Sequence, residues 1–448
     1  MKKKILILGA GKSSVYLVHY LLKIAPERNY FITLCDIDKA NAEKLIGNSS
    51  HGQAVQLNAT DATARYSLIK QSDMVINMLT RPFQYAIAYD CIRSKIPMLS
   101  ASYEDPKVRE LNKSAIENDI IIVNELGLDP GIDHVLSVDL IKSIEEKGGR
   151  IDEFRSYGGS LPSTAIPDNP LNYAVIWNPR NILLAGEDGA IYKENNHVQV
   201  VPFHSIFEHT WHVDIKGFGL LEAYPNRDAL IYGNILGVEK ASTLIRGTLR
   251  YPGWGETWSK VVQLGLTNET IVIPNLKNMT YRKFTELFLP ASVKSDDTAQ
   301  ALASFLNINP TGRIMSNLEW LGLLSEDEIG FNAKTAAQAM INLLLKKLKL
   351  PPGINDVAIL LIEISYHFKE NRKKKYKTVR TMIDYGEPPG FTAISKTVGL
   401  PIALMADLIL QDKIGVRGCV LPFHPTIYTS LLPELIANGI HFTDRQFK

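Results

Sequence analysis

The sequence predicts an α/β protein: a Rossmann-type parallel-sheet domain, then a mixed α+β domain carrying a small helical insertion. Three observations predict it. The apolar run at 4–8 ends on Gly9-Ala10-Gly11 and leads into a helical pattern through Val15, Leu17, Val18, Leu21 and Leu22. A second apolar run, 30–35, ends on Asp36. Strand-like and helix-like stretches then alternate to about residue 128, the order that builds an open parallel sheet.

The chemistry of a bound dinucleotide explains the first two. Gly9 permits the tight turn, Gly11 lets the backbone approach a pyrophosphate, and the helix start behind Lys12 and Ser13 offers N–H groups to its oxygens. The third position of the glycine pattern is Ser14. Asp36, about twenty residues beyond the turn, stands where a carboxylate accepts the adenine ribose hydroxyls.

Size and composition set the outer limits. At 448 residues the chain is too long for one core. A net charge of +2 gives no electrostatic case for nucleic acid or a membrane surface. The three cysteines, Cys35, Cys91 and Cys419, lack any paired spacing and suggest a reducing compartment. The apolar run behind Lys2, Lys3 and Lys4 stops at Gly9, too soon for a signal peptide. No segment is expected to span a membrane, and a cytoplasmic location is expected.

Strands are expected at 54–57, 74–78, 97–100 and 120–124, with helices at 62–71, 83–94 and 106–118 between them. Residues 1–128 form the dinucleotide-binding domain. Residues 129–279 and 351–389 form the mixed α+β domain, 280–350 a small helical domain, and 390–448 helices that return to cover the nucleotide sheet. Within these, 356–384 reads as a hairpin whose tip carries Arg372 to Lys375. The turn Gly386-Glu387-Pro388-Pro389-Gly390 follows, then helices at 392–398 and 401–412.

Three strings say more than composition does. Gly127-Leu128-Asp129-Pro130-Gly131-Ile132-Asp133-His134 follows the last parallel strand, where open α/β sheets place ligands. Tyr224-Pro225-Asn226-Arg227-Asp228 and Arg246-Gly247-Thr248-Leu249-Arg250-Tyr251-Pro252-Gly253-Trp254 lie in the second domain. With Ser100-Ala101-Ser102-Tyr103, they resemble the saccharopine dehydrogenases of the glutamate-forming type, and the resemblance runs over nearly the whole chain.

The resemblance implies reversible, nicotinamide-linked conversion of saccharopine and water to L-glutamate and 2-aminoadipate 6-semialdehyde, in lysine metabolism, by a homodimer. It places Ala101, Ser102, Asp129, Arg227, Thr248, Leu249 and Arg250 at the substrate. Two arginine forks suit substrate carboxylates. An arginine taken alone reads as readily as half of a salt bridge. Ala101 stands where the fungal enzymes carry threonine, so one hydroxyl is missing. The resemblance further places Gly9, Gly11, Lys12, Ser13, Ser14, Cys35, Asp36, Ile37, Asn58, Ala59, Leu79, Leu128, Asp129, Pro130 and Asn178 at the cofactor. The fungal NADP-using enzymes carry arginine in the stretch of Asp36, whose charge repels a 2′-phosphate and suits a free hydroxyl. NAD is therefore expected over NADP.

His204, His209 and His212 beside Glu208 fall outside the family's motifs, and no metal is expected there. His134 reads as a residue that orients the Asp129 loop, and Cys91 as a packed helix residue. No general acid or base is assigned, which leaves water or the substrate amines. Two other readings stand beside the first: a carboxynorspermidine dehydrogenase-like condensation, which would favour acids over paired arginines, and a non-catalytic NAD-binding regulatory protein.

Overall fold

The computed structural model describes residues 2–293, 295–330, 332–387 and 390–447. The proline pair expected in the 386–390 turn lies outside them. The chain forms two compact units, one of residues 1–152, 235–237 and 357–448, the other of residues 153–234 and 238–356.

The first unit is built on β1 (Lys3–Leu8), β2 (Tyr30–Asp36), β3 (Gly52–Gln56), β4 (Met74–Asn77), β5 (Met98–Ser100) and β6 (Ile121–Val123). A seventh strand, Gly418–Val420, joins the far edge, and the order is Gly418–Val420, β6, β5, β4, β1, β2, β3. Every pairing is parallel. Ile5, Leu6, Ile7 and Leu8 are all buried, as a strand covered on both faces requires. Leu6 and Leu8 pack with Ile69, Ile87, Ala88 and Cys91 from the helices Ala62–Lys70 and Gln84–Ser94. Ile5 and Ile7 alternate to the other face.

Helix α1 (Val15–Arg28) and the long C-terminal helix Ala393–Leu410 pack together in this unit. Ser395 Oγ accepts the Tyr16 N–H at 2.9 Å, so the later helix caps the earlier one. At Gly399 the contact is backbone on backbone, since an added Cβ would lie 2.6 Å from Leu17 N. Gly399→Ala is expected to cost about 1–3 kcal/mol, read as a lowered unfolding midpoint.

Several boundaries differ from the expected ones. The helix Ala393–Leu410 runs unbroken through Pro401, where the sequence suggested two helices. It has 18 residues and is long and apolar enough by composition to cross a membrane, and 78% of that stretch is buried inside the fold. The stretch 106–118 is two short helices, Pro106–Glu110 and Asn112–Glu117. The strand Asn371–Tyr385 begins before Arg372, so the basic cluster lies in the strand rather than at a tip.

The hairpin Asp356–Phe368 with Asn371–Tyr385, assigned by sequence to the second domain, groups almost wholly with the first unit. Arg380 explains part of this: its guanidinium grips both oxygens of Asp444 at 2.8 Å and reaches Asp139 Oδ2 at 2.6 Å and Leu136 O at 3.0 Å. It thereby ties the hairpin to the helix Ile132–Glu146, which lies in the same unit. Arg380→Ala removes the partner of two carboxylates that are 33% and 37% exposed, so water takes over part of its role and the expected cost is about 1–3 kcal/mol, measured by chemical unfolding.

In the second unit the strand Thr243–Arg250 pairs parallel with Gly149–Pro162 and antiparallel with Gly219–Pro225, which pairs in turn with Trp211–Ile215. His204 lies in the 3-10 turn Phe203–Glu208 and His212 in the strand Trp211–Ile215. The residues expected as a separate helical domain group with this same unit. One reason is the buried bond from Asn317 Nδ2 to Thr257 Oγ1, 2.8 Å, which fastens the helix Arg313–Leu321 to the helix Trp254–Gln263.

Candidate active site

All six strands β1 to β6 run the same way, so the segments that follow them emerge along one edge of the sheet. Sixteen of the residues assigned to cofactor or substrate lie there: Gly9, Gly11, Lys12, Ser13 and Ser14 after β1; Cys35, Asp36 and Ile37 at the end of β2; Asn58 and Ala59 after β3; Leu79 after β4; Ala101 and Ser102 after β5; Leu128, Asp129 and Pro130 after β6. The strand order reverses between β1 and β4, the switch point at which open sheets bind ligands.

Gly9 and Gly11 differ in why they are glycine. Gly9 has φ +107° and an added Cβ would lie 3.1 Å from Leu79 Cδ2, so the chain itself demands glycine. Gly11 has φ −76°, which any residue adopts, and nothing lies within 4 Å of its would-be Cβ. The chain makes no demand there, and the open space suits the close approach of a pyrophosphate. Ser14, in the third position, is buried and donates its hydroxyl to Gly9 O at 2.8 Å, bracing the turn.

Asp36 has a task that the sequence did not reveal. Its Oδ2 accepts the Ala10 N–H at 2.7 Å and its Oδ1 the Asp38 N–H at 3.0 Å. The carboxylate thus braces the glycine turn, at the position expected from the sequence to face a ribose. Ile37 beside it is 67% exposed, an apolar face offered to solvent next to that position. Burial pushes the Cys35 thiol up to about 12, so it stays protonated. The Asn58 carbonyl oxygen is committed to its own turn, accepting from Thr60 N at 3.1 Å and Thr60 Oγ1 at 2.8 Å.

The segments after β5 and β6 are joined by hydrogen bonds. Tyr103 Oη donates to Asp129 Oδ1 at 3.0 Å, and Glu125 N donates to Ser102 O at 3.1 Å. Gly131 closes the Asp129 loop at φ +146°, and an added Cβ would fall 2.1 Å from Gly127 O. His134, at the start of the helix Ile132–Glu146, is 2% exposed.

The other five assigned residues belong to the second unit. Asn178 caps the helix Pro179–Leu183 by accepting the Arg180 N–H at 3.0 Å. Thr248, Leu249 and Arg250 end the strand Thr243–Arg250. Arg250 is only 3% exposed, and Tyr173, Tyr224 and Trp254 place their ring centres 4.9, 5.6 and 5.8 Å from its guanidinium. Nη1 donates to Leu249 O at 2.8 Å, Nε is buried without a hydrogen-bond partner, and no carboxylate among the described residues pairs with it. Burial works against its charge, yet the Tyr173 and Tyr224 oxygens outweigh that and hold it cationic. Arg227 differs: it is half-buried, sits at φ +57° and forms an ion pair with Asp188.

Two family models match the chain. The saccharopine dehydrogenase NADP binding domain covers residues 5–123, and the saccharopine dehydrogenase C-terminal domain covers residues 127–440. The chain belongs to the saccharopine dehydrogenase family. Within that family it is 33% identical to the mitochondrial alpha-aminoadipic semialdehyde synthase of Bos taurus over 447 residues, which is 99% of this chain and 48% of that protein. The chain spans about half the length of such curated relatives. It is 28% identical to the saccharopine dehydrogenase [NADP(+), L-glutamate-forming] of Saccharomyces cerevisiae, covering 97% of each. The solved apo saccharopine dehydrogenase (L-Glu forming) from the same yeast matches with a TM-score of 0.85 at 27% identity over 100% of both chains.

These findings support pyridine-nucleotide binding by the parallel-sheet domain of this saccharopine dehydrogenase family member. They do not support the expectation of NAD over NADP, because the matching domain and the yeast relative both carry NADP in their names. Sequence reading also passed over residues that the structure makes prominent. Tyr103, Tyr224 and Trp254 all stand inside the strings that carried the resemblance, so proximity to an assigned residue was a signal. Tyr173 and Asp188 lie far from those strings and gave none.

Proposed function

We propose that this chain is a saccharopine dehydrogenase of the L-glutamate-forming type, acting with NAD. The observation that carries this reading is the buried Arg250, a cation with an unpartnered Nε and no carboxylate of its own. Burying an unpaired charge is costly, and a substrate carboxylate would complete the site. Saccharopine brings three carboxylates; carboxynorspermidine brings fewer carboxylates and more amines. A nucleotide-binding regulator would need no such cation.

A nicotinamide held by the segments after β1 and β2 would supply hydride acceptance at the carbon that joins the lysine-derived chain to the secondary amine. The substrate becomes an imine, water adds to that carbon, and the carbon–nitrogen bond breaks to release glutamate and 2-aminoadipate 6-semialdehyde. The chain's part is binding and orientation. Arg250 takes one carboxylate in its aromatic cage. Arg227 takes a second, exchanging or sharing Asp188. Asp129, already accepting from Tyr103, takes a substrate N–H, and Ser102 offers its hydroxyl. Asp36 would hold the ribose hydroxyls, and the exposed Ile37 would offer the adenine an apolar contact. A homodimer in the cytoplasm is the proposed assembly and location.

Offering saccharopine and carboxynorspermidine in turn with NAD separates the readings. Absorbance in the nicotinamide band is expected to rise with saccharopine alone. A rise with carboxynorspermidine alone supports the polyamine reading, and tight NAD binding without turnover of either supports the regulator.

A further inference from the structure

Beneath the Asp129 loop lies a cluster of buried titratable groups that the proposed reaction does not use. His134 Nε2 lies 2.7 Å from Glu125 Oε2, and its Nδ1 lies 3.1 Å from Asp133 Oδ2. All three residues are buried. Each carboxylate uses its other oxygen on a backbone amide. Glu125 Oε1 accepts from Glu104 N at 3.0 Å, while Asp133 Oδ1 accepts from Gly131 N at 2.6 Å. Glu125 N also holds Ser102 O. One carboxylate therefore grips the segment after β5, the other grips the loop of Asp129, and the imidazole stands between them.

We propose that His134 is a positioning residue: doubly protonated, it bridges Glu125 and Asp133 and so keeps Ser102 and Asp129 in register with one another. The inference rests on the reading of those two residues as substrate contacts.

Each of the two N···O contacts needs a proton, and the imidazole, the strongest base of the three groups, is where both are placed. Both ring nitrogens face carboxylate oxygens, and an imidazole that has lost one proton turns a lone pair toward one of them. Away from water that clash has no solvent to relieve it. The Phe423 ring packs on the imidazole with centres 4.1 Å apart and closes that side. Glu104, which also faces Glu125, is engaged by Arg109 Nε at 2.6 Å and by Asn124 Nδ2 at 3.1 Å. Burial pushes the His134 pKa down, while Asp133 and Glu125 push it up and prevail, so it lies above its ordinary value. The bridge is therefore complete below the ordinary histidine range and is lost as pH rises through the raised value.

The test compares kcat/KM for saccharopine against pH in the wild type, Asp133→Asn and His134→Gln, below the unfolding midpoint of each. Asp133→Asn keeps an oxygen for Gly131 N and removes one of the two charges that hold the proton. Its alkaline loss of kcat/KM is expected about one pH unit or more below that of the wild type. His134→Gln is expected to lower kcat/KM about tenfold with no alkaline loss from this group. Identical alkaline limbs in wild type and Asp133→Asn overturn the proposal, since a purely structural contact would lower stability without moving the limb. If the variants do not fold, nitrogen NMR of the wild type decides. A buried ring with both N–H protons above neutral pH supports the bridge, and a neutral ring refutes it. A wild type that turns over no saccharopine at any pH refutes the substrate reading instead, and the NMR result still decides the protonation state.

Discussion

Arg250→Met is expected to raise the KM for saccharopine about 100-fold or more, in the range of roughly 2–5 kcal/mol seen when one partner of a buried charge pair is removed. Methionine keeps most of the volume between Tyr173 and Trp254, so the cage does not collapse. Stability should move the other way. The free protein buries this cation without a carboxylate partner, and replacing a buried charge by an apolar side chain of similar size is neutral or stabilising. Loss of substrate affinity with an unchanged or raised unfolding midpoint is the signature of a side chain kept for its ligand. Arg227→Ala should cost less, about tenfold in KM, because that side chain is half-exposed and already paired with Asp188. Equal losses in substrate and dinucleotide affinity in Arg250→Met would show instead that the residue supports the fold.

The second large effect is expected at Asp36. If its carboxylate faces the ribose, a 2′-phosphate meets a like charge at short range, and kcat/KM with NAD should exceed that with NADP by about 100-fold. Asp36→Asn should narrow this gap chiefly by improving NADP. Asp36→Ala should weaken both nucleotides, because the acceptor for the Ala10 and Asp38 amides is lost and the glycine turn loosens. The matching domain and the yeast relative are both named for NADP, so this preference would set the chain apart from them. Equal efficiency with the two nucleotides would leave Asp36 only its bracing role.

The nucleotide edge was legible in the sequence because its signals are local. Glycines after an apolar run, a helical period and an acid at the next strand end all lie within the first 36 residues, and parallel strands then carry every following segment to the same edge. What could not be read depends on partners distant in sequence. Pro401 locally argues against a continuous helix at about 3 kcal/mol, yet packing on α1 at Gly399 and burial keep Ala393–Leu410 whole. The hairpin joins the first unit partly through the Arg380 bridges to Asp139 and Asp444, which no periodicity announces. Within the proposed site, the strings singled out Arg250 but not the Tyr173 ring, and Arg227 but not Asp188. His134 was read from its position in the string as orienting the Asp129 loop, whereas Glu125, nine residues earlier, entered only through the fold.

The most direct measurement is the product balance with saccharopine as sole substrate and NAD as oxidant. The account predicts one L-glutamate released for each nicotinamide reduced, together with 2-aminoadipate 6-semialdehyde. Reduced nicotinamide without glutamate, or no reduction by enzyme shown to bind the nucleotide, would contradict it.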